Sequence, residues 1–477
     1  MTPAARLQAV IDLYGQAREG GRPADAVASA FFRGRRYIGS KDRQAVAGRL
    51  WSMLRHEARL GWWVARAGVP DTPRTRAAAE LLIAEGMAGA AVDKLFDGST
   101  YGPAPLAAEE RAILTTAEGG RLDAPEMPDG VRAELPDWAV APMRRAFGDR
   151  FDEEAAALLE AAPLDLRVNE IKARRDEVLA ALEAQGVEAA ATALSPIGVR
   201  VEGRPNLAGA PLFKSGAIEI QDEGSQLVAL LADARPGMQI ADYCAGAGGK
   251  ALALAARMGG KGRVLACDVS EGRLARAKER MRRAGIDNIE PRLIAPGDKR
   301  LKRLKGRFDR VLVDAPCSGT GAWRRNPDAR WRDVDLDALT ALQADLLDRA
   351  ARLVKPGGRL VYATCSVLAE ENEDRVEAFL ADHPDFAALP VAEAWAGVFG
   401  EDAAPPAGAD AGRWLRLSPA RHGTDGFFVA ILARAEAGRG AGPDGEDGEG
   451  ESESEDGGDG ARGSGADPSA TGTSEAA

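Results

Sequence analysis

Two cysteines carry the strongest chemical signal in this chain. Each closes an apolar run and is followed by serine: Val311-Leu312-Val313-Asp314-Ala315-Pro316-Cys317-Ser318 and Leu360-Val361-Tyr362-Ala363-Thr364-Cys365-Ser366. A cysteine taken alone is more often a small buried hydrophobe, and Cys244 and Cys267 read that way. Two in matching contexts at the ends of apolar runs point to a thiol nucleophile and a thiol partner. Such a pair suits covalent catalysis on carbon 5 of a cytosine. That carbon is a poor nucleophile until a thiolate adds to carbon 6 and makes it enamine-like, after which it can attack an electrophilic methyl. Asp314 is placed to act near the ring nitrogen as a proton donor or hydrogen-bond partner. No C-x-x-C pair occurs, so no metal is expected.

A second motif is Asp242-Tyr243-Cys244-Ala245-Gly246-Ala247-Gly248-Gly249-Lys250. Its glycines allow a tight turn and close approach of a ligand to backbone. The helix expected after it offers N–H groups to an anion. Asp268, at the end of the next strand, can bond a ribose diol. Asp298, after the third strand, reads either as an adenine contact or as an exposed loop aspartate. Gly246-x-Gly248-x-x-Ala251 also satisfies the dinucleotide pattern, so an NAD-type oxidoreductase stands as an alternative. It explains the glycines but not the cysteines.

These motifs need elements to hold them. From Pro236 onward strands and helices alternate, which predicts a parallel α/β sheet with crossover helices. The strands are expected at Met238–Cys244, Arg263–Val269, Ile289–Ile294, Phe308–Ala315, Arg359–Thr364 and Phe427–Leu432. The third is weakened by Pro291. In open α/β sheets ligands bind beyond the carboxyl ends of strands, so both cysteines and the glycine loop should share one crevice. Residues 1–117 read as helical, with a long helix from Ser40 to Gly68 capped by Ser40. Prolines at 125, 128 and 136 mark a linker over 118–137. Segment 138–225 reads as a small α+β module, with strands at 166–168 and 199–201 and a helix over 174–186.

The net charge of −11 argues at first against a nucleic-acid partner. The segment from Glu436 to Ala477, however, holds twelve Asp/Glu and two Arg, leaving the other 435 residues near neutrality with 60 Lys/Arg. That tail has almost no apolar content and is expected to be disordered. Basic and aromatic residues interleave at Phe31-Phe32-Arg33-Gly34-Arg35-Arg36-Tyr37, a mix suited to phosphates and stacked bases. It is equally readable as a helix end with solvated arginines. No signal core or membrane span is evident, so a cytoplasmic protein is expected.

Taken together, Cys244–Lys250, Asp268, Asp298, Asp314–Gly321, Arg324–Asp328, Thr364–Ser366 and Asp425–Phe428 resemble the bacterial Sun/Fmu (RsmB-type) ribosomal RNA cytosine-C5 methyltransferases, relatives of the Nop/Sun proteins. The resemblance implies a Rossmann-like methyltransferase domain over 226–435, an RRM-like subdomain over 138–225 and a NusB-like helical domain over 1–117. It implies that Cys365 is the nucleophile and that Cys317 assists release. Cys244, Ala245, Gly246, Ala247, Gly248, Gly249 and Lys250, with Asp268, Asp298 and Asp314, would hold S-adenosylmethionine. Lys250 and Asp314 would border the reaction centre, and Arg324 and Arg325 would sit near RNA. The implied partner is ribosomal RNA, 16S above 23S or transfer RNA, free or in a small-subunit assembly intermediate, with the enzyme a monomer. A noncatalytic RNA-binding factor with a relic site is the third reading. The family loop usually reads Cys-Ala-Ala-Pro-Gly-Gly-Lys-Thr. Gly246-Ala247 and Ala251 depart from it, and cofactor affinity is where that departure would tell.

Overall fold

The computed structural model describes residues 1–19, 22–295, 298–406 and 412–436. The acidic tail from Ala437 on, expected to be disordered, lies outside the described residues.

The chain begins with helices α1 (Pro3–Arg18), α2 (Ala24–Gly34), α3 (Ser40–Arg55), α4 (Glu57–Arg66) and α5 (Pro73–Ile83). Leu7, Val10, Leu13, Leu50, Leu60 and Leu81 meet in their shared core. Thr2 caps α1 by accepting the Ala5 N–H at 3.1 Å, with Pro3 at the first helical position, where its missing N–H costs nothing. The single helix expected from Ser40 to Gly68 is two, broken at His56 (φ −110°, ψ 26°). The cause lies far along the chain. The buried Glu134 carboxylate accepts the Ala58 and Arg59 N–H groups at 2.8 and 3.0 Å, so α4 starts on a foreign cap instead of continuing α3. Ser40 is the first helical residue and Gly39 the cap, without a side-chain bond.

A four-stranded antiparallel sheet follows, ordered β2-β3-β1-β4, with β1 Leu164–Val168, β2 Ala189–Ala191, β3 Gly198–Val201 and β4 Ile218–Ile220. The helix Arg175–Glu183 covers one face through Val178 and Leu182. This is the α+β module the sequence predicts.

The large sheet runs β10-β12-β9-β8-β5-β6-β7, with β11 paired to β12. Its strands are β5 (Gln239–Asp242), β6 (Arg263–Asp268), β7 (Ile289–Leu293), β8 (Phe308–Asp314), β9 (Val354–Thr364), β10 (Phe386–Ala388), β11 (Leu415–Leu417) and β12 (Phe427–Arg434). The strands β5 to β9 pair in parallel, and the last three are antiparallel. Both faces are covered: Val311 and Val313 pack on one side, Leu312 and Val361 on the other. That is why these strands read as unbroken apolar runs. Pro291 is tolerated because β7 is an edge strand. The chain leaves β5 toward β6 and β7, then returns to its other side with β8. The reversal opens a crevice between the carboxyl ends of β5 and β8.

Candidate active site

Two thiols meet at that crevice. Cys317 follows β8 and Cys365 follows β9, its neighbour, and the sulfurs lie 3.4 Å apart as free thiols. Contact with Cys365, then burial, pushes the Cys317 thiol well above its ordinary range, so Cys317 keeps its proton. Lys250, from the first turn of the helix Gly249–Arg257, places its Nζ 2.6 Å from Asp314 Oδ2. Its ammonium also feels the charge of Cys365.

The residues that fix this geometry escaped sequence reasoning. Glu371 is completely buried. Its carboxylate accepts the Ser318 N–H at 2.8 Å, the Ser318 and Ser366 hydroxyls, and Gln343 Nε2 at 3.0 Å. One carboxylate thereby ties together the serines that follow the two cysteines. Asn372 accepts from Thr364 Oγ1 at 2.6 Å and donates to the Ser366 carbonyl at 3.0 Å, gripping the second cysteine loop from both sides. Gly321 donates to the Cys365 carbonyl and accepts from the Gly426 N–H. A Cβ on Gly321 would fall 2.2 Å from the Gly426 carbonyl oxygen, so both glycines are required for backbone to touch backbone.

Beside the thiols lies a cleft of about 460 Å³, lined by the glycine loop, Asp314 and Cys317. Gly246 and Gly248 take φ of +56° and +79°, and a Cβ at Gly248 would press on Ala277 at 3.1 Å. Two arginines hold the loop's carbonyls. Arg280 donates to Ala247 at 2.9 Å, and the buried Arg167, reaching from β1, donates to Gly249 at 2.6 Å. The Asp242 carboxyl is buried on the cleft with neither oxygen in a good hydrogen bond. Burial, then the Asp314 charge, pushes it up to about 7. A buried carboxyl waiting for a donor suits a cationic ligand. That feature fits S-adenosylmethionine, whose sulfonium and ammonium are cationic.

Four expected site residues sit differently. Asp268 Oδ2 accepts the Gly246 N–H at 2.8 Å and Oδ1 the Ser270 N–H at 2.8 Å, so it holds the loop's shape. Asp298 is not among the residues lining the cleft, and its carboxylate is clamped by Arg300 at 2.7 Å. Arg324 is closed off from solvent, whereas Arg325 is 31% exposed. Arg324 is buried against Asp425 at 2.8 Å and the Gly423 carbonyl at 2.9 Å, while Arg325 bridges Asp425 at 2.8 Å and Asp222 at 3.1 Å. Polar groups this deep must pair internally, and these arginines brace the Asp425–Gly426 turn against the cysteine loop. Cys244 and Cys267 remain thiols, both pushed up by burial, Cys267 to about 12. Among the described residues no cluster of three or more metal-ligating side chains occurs, and no helix is long and apolar enough to cross a membrane.

A parallel sheet with this order reversal, glycine loop and cationic-ligand cleft is that of an S-adenosylmethionine-dependent methyltransferase. A solved methyltransferase homologue from Pyrococcus horikoshii superposes with a TM-score of 0.56 at 28% identity, covering 65% of this chain and 99% of that one. The protein PH0851 superposes over 91% of this chain and 99% of its own, with a TM-score of 0.70 and 25% identity. The family model described as 16S rRNA methyltransferase RsmB/F matches residues 229–433, and the model of the ferredoxin-like domain of the same group matches 135–208. A probable ribosomal RNA small subunit methyltransferase B of Synechocystis is 36% identical over 321 residues, 66% of this chain and 70% of that protein. The ribosomal RNA small subunit methyltransferase B of Pseudomonas syringae is 36% identical over 311 residues, 64% and 67% of the two chains. The chain belongs to the RsmB/F family of ribosomal RNA methyltransferases, and its methyl donor is S-adenosylmethionine. The dinucleotide oxidoreductase reading falls with that assignment.

Proposed function

We propose that this methyltransferase modifies carbon 5 of a cytosine in 16S ribosomal RNA through a covalent Cys365 adduct. The observation that carries the reading is the thiol pair, 3.4 Å apart beside the Lys250–Asp314 pair. A proton-retaining Cys317 and a Cys365 next to an ammonium give the two thiols different jobs. The Cys365 thiolate bonds to carbon 6, and the displaced electron pair moves toward ring nitrogen 3. There the Lys250–Asp314 pair supplies a proton. Bound S-adenosylmethionine supplies the methyl group on its sulfonium, which leaves as a neutral thioether. Carbon 5, now enamine-like, accepts that methyl; loss of its proton to a base, with return of the nitrogen 3 proton to the Lys250–Asp314 pair, lets the Cys365 sulfur–carbon bond break and the thiolate leave. Cys317, touching Cys365, assists that release. Asp242, Gly246, Gly248, Asp268 and Asp314 hold the donor's side of the cleft. The target must be unpaired or flipped to reach the thiols. The names of the relatives favour the small-subunit RNA, with residues 1–117 and 138–225 adding RNA contacts.

The test uses purified protein, 16S RNA and labelled donor, with bisulfite sequencing of the product. Cys365→Ala is expected to transfer no methyl. Cys317→Ala is expected to leave protein on RNA as a band that survives a denaturing gel. Normal turnover by Cys365→Ala overturns the covalent reading, and absence of the trapped band removes Cys317 from release.

A further inference from the structure

Among the described residues, the two most exposed large apolar side chains are Tyr37 and Tyr101, at 75% and 77%. They are 64 positions apart in sequence, yet they line one open groove of about 900 Å³ along the start of α1. Neither ring is on a loose loop. Arg35, which precedes Tyr37 by two residues, lies 3.8 Å over the Phe31 ring. Ile38, which follows it, is buried, and its carbonyl accepts Arg43 Nε at 2.7 Å. On the other side the Gly98 N–H donates to the Pro103 carbonyl, and the Gly102 N–H to the Ser99 carbonyl. Gly98 holds φ +66°, and a Cβ on Gly102 would fall 2.3 Å from Asp97 Oδ1. Two anchored turns therefore hold two tyrosines out into water, an arrangement that contributes nothing to the core.

The segment that carries Tyr37 is basic. Its sequence neighbours Arg33, Arg36 and Lys41 are exposed, and none has an ion-pair partner within 4 Å among the described residues. One acid, Asp12, lines the groove beside Arg35 and accepts from Gln8, while Asp42 is paired with the N-terminal ammonium and Arg6. Aromatic faces for bases, with free cations for the phosphates between them, are what a single strand requires.

We propose that this groove on the helical domain is a binding site for single-stranded RNA, with unpaired bases stacking on Tyr37 and Tyr101 and the backbone running past Arg33 and Arg36. The proposal rests on the chain acting on ribosomal RNA but not on the cysteine chemistry. It gives the enzyme a second grip on its substrate, away from the thiols.

The probe is a fluorescein-labelled twelve-nucleotide single-stranded RNA of mixed sequence, followed by anisotropy with the full-length protein at several salt concentrations. Removing a stacked ring weakens binding roughly 5- to 100-fold, so Tyr37→Ala and Tyr101→Ala should each do so. Tyr37→Phe and Tyr101→Phe should bind as the parent does. Arg33→Ala with Arg36→Ala should flatten the salt dependence. The rings are exposed, so thermal melting should be unchanged, and calorimetric binding of S-adenosylmethionine serves as a second check on folding. Parent-like affinity in the double alanine variant overturns the proposal, as does an equal loss of binding to a twelve-pair RNA duplex, which would mark charge alone. Ring-dependent binding in a protein whose Cys365→Ala variant still methylates would sustain this site while the covalent reading failed.

Discussion

The thiols of Cys317 and Cys365 are chemically alike, and only their neighbours separate them. Contact with Cys365 keeps the proton on Cys317; Cys365 sits within the field of the Lys250 ammonium. Their pairing was legible in the sequence because each stands at the end of an apolar run, where strand periodicity fixes its place. Glu371 was not legible. It lies in Glu370-Glu371-Asn372-Glu373-Asp374, a run that reads as a solvated face, and only the fold buries it against Ser318 and Ser366. The ion pairs of Arg324 and Arg325 were not legible either: the sequence offers them as loop arginines, and their partners Asp222 and Asp425 are about 100 residues away in either direction. The Glu371 carboxylate takes donors on both oxygens. In Glu371→Gln an amide replaces one of them and leaves a buried hydroxyl or N–H without its acceptor, at a cost of about 1–3 kcal/mol. Single-turnover kinetics should then show the rate of adduct formation falling at least tenfold, with the KM for RNA little changed. A rate within twofold of the parent would mean that the thiols are aligned without it.

At the scale of elements, the parallel strands were legible to within a few residues at most ends because burial on both faces makes them continuous apolar runs. The exception is β9, which begins five residues earlier than the expected Arg359. The strands β2, β4, β10 and β11 were missed; three residues carry too little period to declare a strand. The departure of the glycine loop from its family pattern also acquires a physical counterpart. Where proline would stiffen the turn, the carbonyl of Ala247 is held by Arg280 and that of Gly249 by Arg167, a residue of the neighbouring sheet. Burial lowers Arg167 only to about 10, so it remains charged at neutral pH, and charge-assisted bonds of this kind contribute about 1.5–3 kcal/mol. Arg167→Ala should weaken S-adenosylmethionine binding about tenfold or more by calorimetry. Unchanged affinity in a variant with parent-like melting would show that the loop keeps its shape unaided.

Across the whole molecule, the helical part is joined to the rest by polar contacts that no local pattern announces. Glu134 caps α4, the Ala24 N–H donates to Asp328 at 3.2 Å, and Arg55 reaches the Arg324 carbonyl at 3.4 Å. Burial pushes the Glu134 carboxyl up to about 7, from an ordinary 4.5. The folded protein therefore holds this proton more tightly than the unfolded chain does. The stability it contributes is complete below about pH 4.5 and is lost as pH rises through about 7, with a slope on the order of 1 kcal/mol per pH unit. Urea unfolding at pH 5 and pH 8 should show that loss in the parent, and Glu134→Gln should reduce it; equal losses in both would assign the effect to other groups.

The sheet order also has a consequence for biosynthesis. β12 comes last in the chain, yet it lies between β9 and β10. A ribosome adding ~5–20 residues per second needs roughly 4–14 s to make the seventy or so residues from the end of β9 to the end of β12. For that interval β9, the strand that leads to Cys365, has a bare edge on the side that β12 will fill, and an uncovered edge recruits other strands. Each new copy of an enzyme that modifies ribosomal RNA is thus exposed to misassembly while it is still on a ribosome.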